Sequence, residues 1–172
     1  LDFLQDPLMH LIRNAVDHGI EQADEREQSG KSPAGELRLA AIHRGGQVVV
    51  SVEDDGRGIS PDELRQTAEK LGSVDSADLT AMSDREIVQL IFRPGFSSST
   101  EVAETSGRGV GLDVVRTNVQ SVDGAIRVIS HPGQGSRFEL EVPLTLTITR
   151  LMIVNVGIDK FAIPVGSIER IA

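Results

Sequence analysis

Two histidines, an asparagine and an aspartate share one short segment of the chain. In the stretch from Asp6 to Gly19, His10, Asn14 and Asp17 fall within about 60° of one another on a helical wheel. They lie opposite a Leu8-Leu11-Ala15 stripe, with His18 at the margin. Such a face is either a solvated polar surface or a column able to orient a metal–phosphate group. Further on, Asp54-Asp55-Gly56-Arg57-Gly58 follows the apolar run Val48 to Val52. This is either a turn leaving a sheet or an acceptor at a strand end, beside glycines that let a flat ligand approach the backbone. A carboxylate there accepts a hydrogen bond from an exocyclic amine, such as that of adenine. In Ser106-Gly107-Arg108-Gly109-Val110-Gly111-Leu112, alternate glycines free successive N–H groups to point at one anion, and a helix start adds partial positive charge. No Gly-Lys-Ser/Thr follows and no buried strand precedes it, so it is neither a Walker loop nor a dinucleotide fingerprint. It reads as a glycine-rich lid over a phosphate tail, or as a hinge in a flexible loop. Gly133-Gln134-Gly135-Ser136-Arg137-Phe138 is, on its own, a turn into a strand.

The elements that must position these groups follow from local signals. Asp6-Pro7 predicts a helix start, with Asp6 as N-cap, and Gly19 a left-handed stop. Residues 20–35 are polar and read as a short, exposed, partly helical insertion. Residues 36–44 and 47–54 flank Gly45-Gly46, a two-residue hairpin turn. A capped helix is expected from Ser60-Pro61 to Leu71, closed by Gly72, and another from Ser83 to Phe92. Arg93-Pro94-Gly95 ends it, and residues 93–111 form a long loop feeding a helix from about Val110 to Asp123-Gly124. Strands are expected over 125–131 and 136–142, then β-type alternation from Thr145 to Val156, a turn at Gly157 and a strand from Lys160 to Val165. Helices interleaved with antiparallel hairpins predict an α+β fold, a two-layer sandwich.

Composition excludes several classes. The 17 Lys plus Arg against 26 Asp plus Glu give a net charge of −9, which argues against nucleic-acid binding and polybasic membrane attachment. There is no Cys, hence no disulfide or thiolate chemistry. With no Trp or Tyr and 5 Phe, base-stacking platforms are not expected. No apolar run reaches the roughly 20 residues of a membrane span. The chain opens on Leu1 without a signal peptide and reads as an excerpt of a longer protein.

Taken in order, the four segments resemble the GHKL ATPase superfamily, and most closely the catalytic ATP-binding domain of CheA-type chemotaxis histidine kinases. The residues that carry the resemblance are Asp6 to Glu21, Val52 to Ile59, Leu90 to Ser97, Ser106 to Val115 and Gly133 to Ser136. Gyrase-like, chaperone and mismatch-repair members usually carry Glu at the position of His10; His10 together with His18 points to the chemotaxis branch.

The resemblance implies the Bergerat-type fold, a mixed, mostly antiparallel sheet covered by helices on one face. It implies a catalytic domain over 1–148 and the start of an incomplete CheW-like regulatory β domain over 149–172. ATP and magnesium are the implied cofactors, with Asn14 the magnesium ligand. His10 takes the position of the superfamily's N-box acid or base, and His18 approaches the phosphates, with Asp17 on the same face. Asp54 is the implied adenine-amine acceptor, flanked by Gly56, Gly58 and Ile59. Phe92, Arg93 and Phe96 lie under the lid; Gly107, Arg108, Gly109, Val110, Gly111 and Leu112 serve the phosphates; Ser136 supports the adenine side. The implied reaction moves the ATP γ-phosphoryl group to a histidine on a separate acceptor domain. Implied partners are that domain, response regulators acting through it, and a CheW-like adaptor and chemoreceptors acting through the downstream domain. A cytoplasmic setting and a monomeric fragment are expected. The alternatives are another GHKL ATPase whose hydrolysis drives a conformational change, and a scaffold module with a vestigial nucleotide site.

Overall fold

A computed structural model describes residues 2–96, 111–143, 151–157 and 159–164. A short 3-10 turn, Asp2–Leu4, leads into helix α1, Gln5–Asn14, which widens into a π turn over Ala15–Gly19. The helix thus begins before the expected cap, and Asp6 makes no capping bond. Leu4 takes the N-cap position and is buried in the core, so apolar packing sets the start rather than a local cap. Gly19 is not left-handed; the chain leaves through Ile20 in an extended conformation. The polar stretch contains helix α2, Ala23–Gln28.

Strand β1, Leu37–Arg44, turns at Gly45-Gly46 into β2, Gln47–Asp54, with both glycines at positive φ as the hairpin turn requires. Helix α3, Pro61–Leu71, is capped by the Ser60 hydroxyl and closed by left-handed Gly72, both as expected. A short helix α4, Ser76–Ala81, was not legible in the sequence. Helix α5, Asp84–Val88, opens on a full Ser83–Glu86 capping box and tightens into a 3-10 turn over Gln89–Phe92. Helix α6, Leu112–Gln120, is followed by β3, Ala125–His131, and β4, Gly135–Pro143. The left-handed residue after α6 is Asp123 rather than Gly124. A separate hairpin joins β5, Leu151–Val156, to β6, Asp159–Pro164.

The main sheet has the order β1-β2-β4-β3, and every described pairing is antiparallel. One face carries Val50, Val52, Val128, Phe138, Leu140 and Val142, and against it pack Leu11 of α1, Val88 of α5 and Val115 and Val119 of α6. Phe92 meets Phe138 edge-on with ring centroids 6.4 Å apart. The other face carries ion pairs, Arg127–Glu141 and Arg137–Glu139. This is the expected α+β sandwich with helices on one face. A second apolar cluster of Ala68, Leu79, Ile87, Leu90 and Phe96 sits under α3 and α5.

Candidate functional site

Strand β2 delivers Asp54 to the sheet end that also receives the end of the first helix. Its backbone pairs with Ser136 on β4, and its side chain is buried at 6% exposure. The Gly56 N–H donates to Asp54 Oδ1 at 3.0 Å. Burial pushes the Asp54 carboxyl above its ordinary value, against the backbone N–H groups of Gly56 and Ser136, which pull it down. The loop is pinned on both sides. Arg57 N–H donates to Gly19 O at 2.8 Å, and Gly133 N–H donates to Arg57 O at 2.7 Å. Gly58 and Gly135 are needed here because both have positive φ and face backbone so closely that no side chain fits.

Asp55, the neighbouring acid, has a different task. Its Oδ2 accepts from buried Arg26 at 2.7 Å and its Oδ1 from the Glu36 N–H at 2.9 Å. Burial pushes this carboxyl up, but those two donors outweigh it and hold it below the ordinary value. Glu21 is likewise no freely solvated acid of an exposed insertion, as the sequence suggested. Its carboxylate pairs with Arg26 at 3.1 Å and Lys31 at 2.8 Å.

On the other flank, Ile59 N–H donates to Ser130 Oγ at 2.8 Å. Ser130 Oγ donates to Gly135 O at 3.0 Å and lies 2.9 Å from Ser136 Oγ. With the single Ser130 proton on the Gly135 carbonyl, the Ser136 hydroxyl is the donor of that pair.

The helix face behaves differently. His10 and Asn14 are half-buried, whereas Asp17 and His18 are exposed on the π turn. An i→i+5 turn advances less per residue than the 3.6-residue wheel assumed, so Asp17 and His18 are displaced from the straight column. α1 packs on α6. Burial lowers His10, Arg13 lowers it further, and the nearby Asp113 charge raises it. Gly111 is the extended N-cap of α6, and Leu112 packs on the core. Phe96 is 3% exposed within the second apolar cluster. Gly107, Arg108, Gly109 and Val110 lie outside the described residues.

Asp54, Gly56, Gly58, Ile59 and Ser136 thus converge on one loop cluster. Arg26, Lys31, Ser130 and Gly19 belong to the same cluster and were missed. Arg26 and Lys31 are two cations in a polar stretch with no periodicity, and only their contacts give them away.

Comparison with known proteins shows which family the chain resembles. The family model "Histidine kinase-, DNA gyrase B-, and HSP90-like ATPase" matches residues 3–146. The chemotaxis protein CheA of Bacillus subtilis is 42% identical over 168 residues, 98% of this chain and 25% of that protein. The sensor histidine kinase CheAY of Helicobacter pylori is 43% identical over 163 residues, 95% of this chain and 20% of that protein. Among solved structures, the nucleotide-free catalytic domain of histidine kinase ThkA aligns at 20% identity and a TM-score of 0.47, over 83% of this chain and 65% of that one. The chain spans 20–25% of the length of the two curated relatives. It belongs to the histidine kinase-, DNA gyrase B- and HSP90-like ATPase family, as a CheA-like member.

Proposed function

We propose that this chain is the ATP-binding catalytic domain of a chemotaxis-type histidine kinase, transferring the ATP γ-phosphoryl group to a histidine on a separate domain. The observation that carries this is the buried Asp54 carboxyl, held by Gly56 N–H at a strand end where glycines let the neighbouring backbone approach closely, in a chain of an ATPase family. Asp54 accepts from the adenine amine, Gly56, Gly58 and Ile59 flank the base, and Ser136 supports that side. The segment from Gly107 to Leu112 receives the phosphates, whose charge the start of α6 favours.

Among the described residues, no group of three or more His, Cys, Asp or Glu side chains could hold a metal ion. The half-buried Asn14 amide oxygen fits magnesium, a hard cation that takes one or two protein oxygens and completes its shell with phosphate and water. Magnesium supplies charge neutralisation on the phosphates. His10 holds the N-box position beside Asn14, and Asp17 and His18 face the phosphate end. In the transfer, the acceptor imidazole nitrogen bonds to the γ-phosphorus, the bond to the β–γ bridging oxygen breaks, and ADP leaves with that electron pair. The work of the site is alignment and charge stabilisation.

Residues 1–148 form this domain in the proposal, and 149–172 open a CheW-like β domain. The β5–β6 hairpin supports that division, since Ile153 and Phe161 are 59% and 51% exposed, as for strands awaiting further partners. The proposed partners are the acceptor domain and its response regulators, and a CheW-like adaptor with chemoreceptors through the downstream domain. A cytoplasmic setting is part of the proposal; no helix among the described residues is long and apolar enough to cross a membrane.

The test is transfer of label from γ-labelled ATP to a separately prepared histidine-bearing acceptor domain, with magnesium and with chelator. Phosphohistidine on the acceptor only with magnesium is the expected result. ADP production without acceptor labelling indicates another ATPase of the family. Absence of ATP and ADP binding in calorimetry indicates a scaffold.

A further inference from the structure

Arg26 sits on α2 and is 1% exposed. Its Nε donates to Ser32 O at 2.7 Å, one terminal nitrogen to Glu21 Oε2 at 3.1 Å and Asp55 O at 3.3 Å, and the other to Asp55 Oδ2 at 2.7 Å. Lys31 Nζ completes the cluster, donating to Glu21 Oε1 at 2.8 Å, Asp55 O at 3.0 Å and Gly56 O at 2.7 Å. The two cations therefore grip both carbonyls of the dipeptide that follows Asp54. The same dipeptide supplies the Gly56 N–H that orients the Asp54 carboxyl. A buried, fork-shaped cation with this many partners holds one geometry, because removing it takes the donor from the Ser32 carbonyl, from Glu21 Oε2 and from Asp55 Oδ2 at once.

We propose that Arg26, with Lys31, is a positioning residue for nucleotide recognition. It fixes the Asp55-Gly56 backbone so that the Asp54 carboxyl is aimed at an adenine amine, and the polar segment 20–35 is in this way part of the base-specificity apparatus. The inference rests on the nucleotide reading of Asp54 given above. A loosened clamp leaves the acceptor present but misaimed, which weakens binding of adenine nucleotides more than of nucleotides whose base lacks that amine.

The test is isothermal calorimetry with magnesium-ATP and magnesium-GTP on the parent chain, Arg26→Gln, Lys31→Met, Asp54→Asn and the Asp54→Asn/Arg26→Gln double variant. Arg26→Gln is expected to raise the ATP dissociation constant about tenfold at unchanged stoichiometry and to narrow the ATP-over-GTP preference, and Lys31→Met to act the same way by a smaller factor. The double variant is expected to bind no more weakly than Asp54→Asn alone, because both changes act through one carboxyl. Parent-like affinity at reduced stoichiometry marks a purely structural role and overturns the inference. If Arg26→Gln does not fold, Lys31→Met decides by the same criteria. If Asp54→Asn itself binds ATP like the parent, the adenine reading fails and the inference falls with it. If Asp54→Asn loses ATP but the clamp variants keep parent affinity, the inference alone falls.

Discussion

Gly19 faces the carboxyl of Asp54 across the mouth of the site: a Cβ at Gly19 would stand 3.3 Å from Oδ1 and 3.5 Å from Oδ2. Its backbone is not left-handed, so alanine fits the local conformation and gains helix propensity. The added methyl instead crowds the one group assigned to the adenine amine. Gly19→Ala is expected to keep its melting temperature within a few degrees of the parent. It should bind ATP about tenfold more weakly, a cost of about 1.4 kcal/mol. Calorimetry beside a thermal melt checks both, and unchanged affinity would remove Gly19 from the site.

The Asp54 carboxyl gives the fold a signed pH dependence. Burial raises it above its ordinary 3.8, so between that value and the raised one the native state holds more proton than the unfolded chain. Stability contributed by this group falls as pH rises through that window, and the penalty persists above it. Asp54→Asn does not titrate. The variant should therefore gain stability relative to the parent between about pH 3 and about pH 7, although it binds ATP less well. Urea denaturation of both proteins at the two pH values measures this, and a constant difference would contradict it.

What was legible in the sequence is what local chemistry decides. Val48, Val50 and Val52 alternate and Gly45-Gly46 turns, so the β1–β2 register followed. Ser60, Gly72 and Ser83 cap their helices because each bonds within a few residues. The helix start at Gln5 escaped because Leu4 is drawn into a core assembled from distant strands. The acidic dipeptide could be read as a site but not divided between its two members. Asp55 is defined by Arg26, 29 residues away, and the Ile59 loop by Ser130, 71 residues away. No periodicity reports such pairings. Gly107 to Val110, four of the six residues expected to serve the phosphates, lie outside the described residues, so that expectation stands on the sequence alone.

Ser130 is the joint of the network beside the proposed adenine site. Its oxygen accepts from Ile59 N–H and from the Ser136 hydroxyl and donates to Gly135 O. Ser130→Ala leaves the Ile59 donor without its partner, a loss of about 1–3 kcal/mol for a group kept from water. Ser136→Ala removes only one hydroxyl from the chain of bonds and is expected to lose less. Denaturant midpoints rank the two variants, and hydrogen exchange at the Ile59 amide should speed up in Ser130→Ala alone. Equal losses would mean that the network is not centred on Ser130.

His10 and Asp113 provide the last test, between two helices. Burial lowers His10 below its ordinary 6.5 and Arg13 adds to this, while the Asp113 charge on α6 partly restores it. Imidazole with a lowered folded value binds its proton better in the unfolded chain, so its contribution to stability is present above 6.5 and is lost as pH falls through the folded value. A neutral imidazole beside Asn14 suits the magnesium role proposed for that residue, since a charged one would repel the cation. Asp113→Asn removes the opposing carboxylate, so His10 should titrate still lower by proton NMR, and a rise in its pKa would refute the pairing. In His10→Gln the acid-side loss disappears, and the stability difference from the parent should grow in the variant's favour below about pH 6. If Asn14 holds magnesium there, Asp113→Asn should leave magnesium-dependent ATP affinity intact at pH 7, because the imidazole is already uncharged.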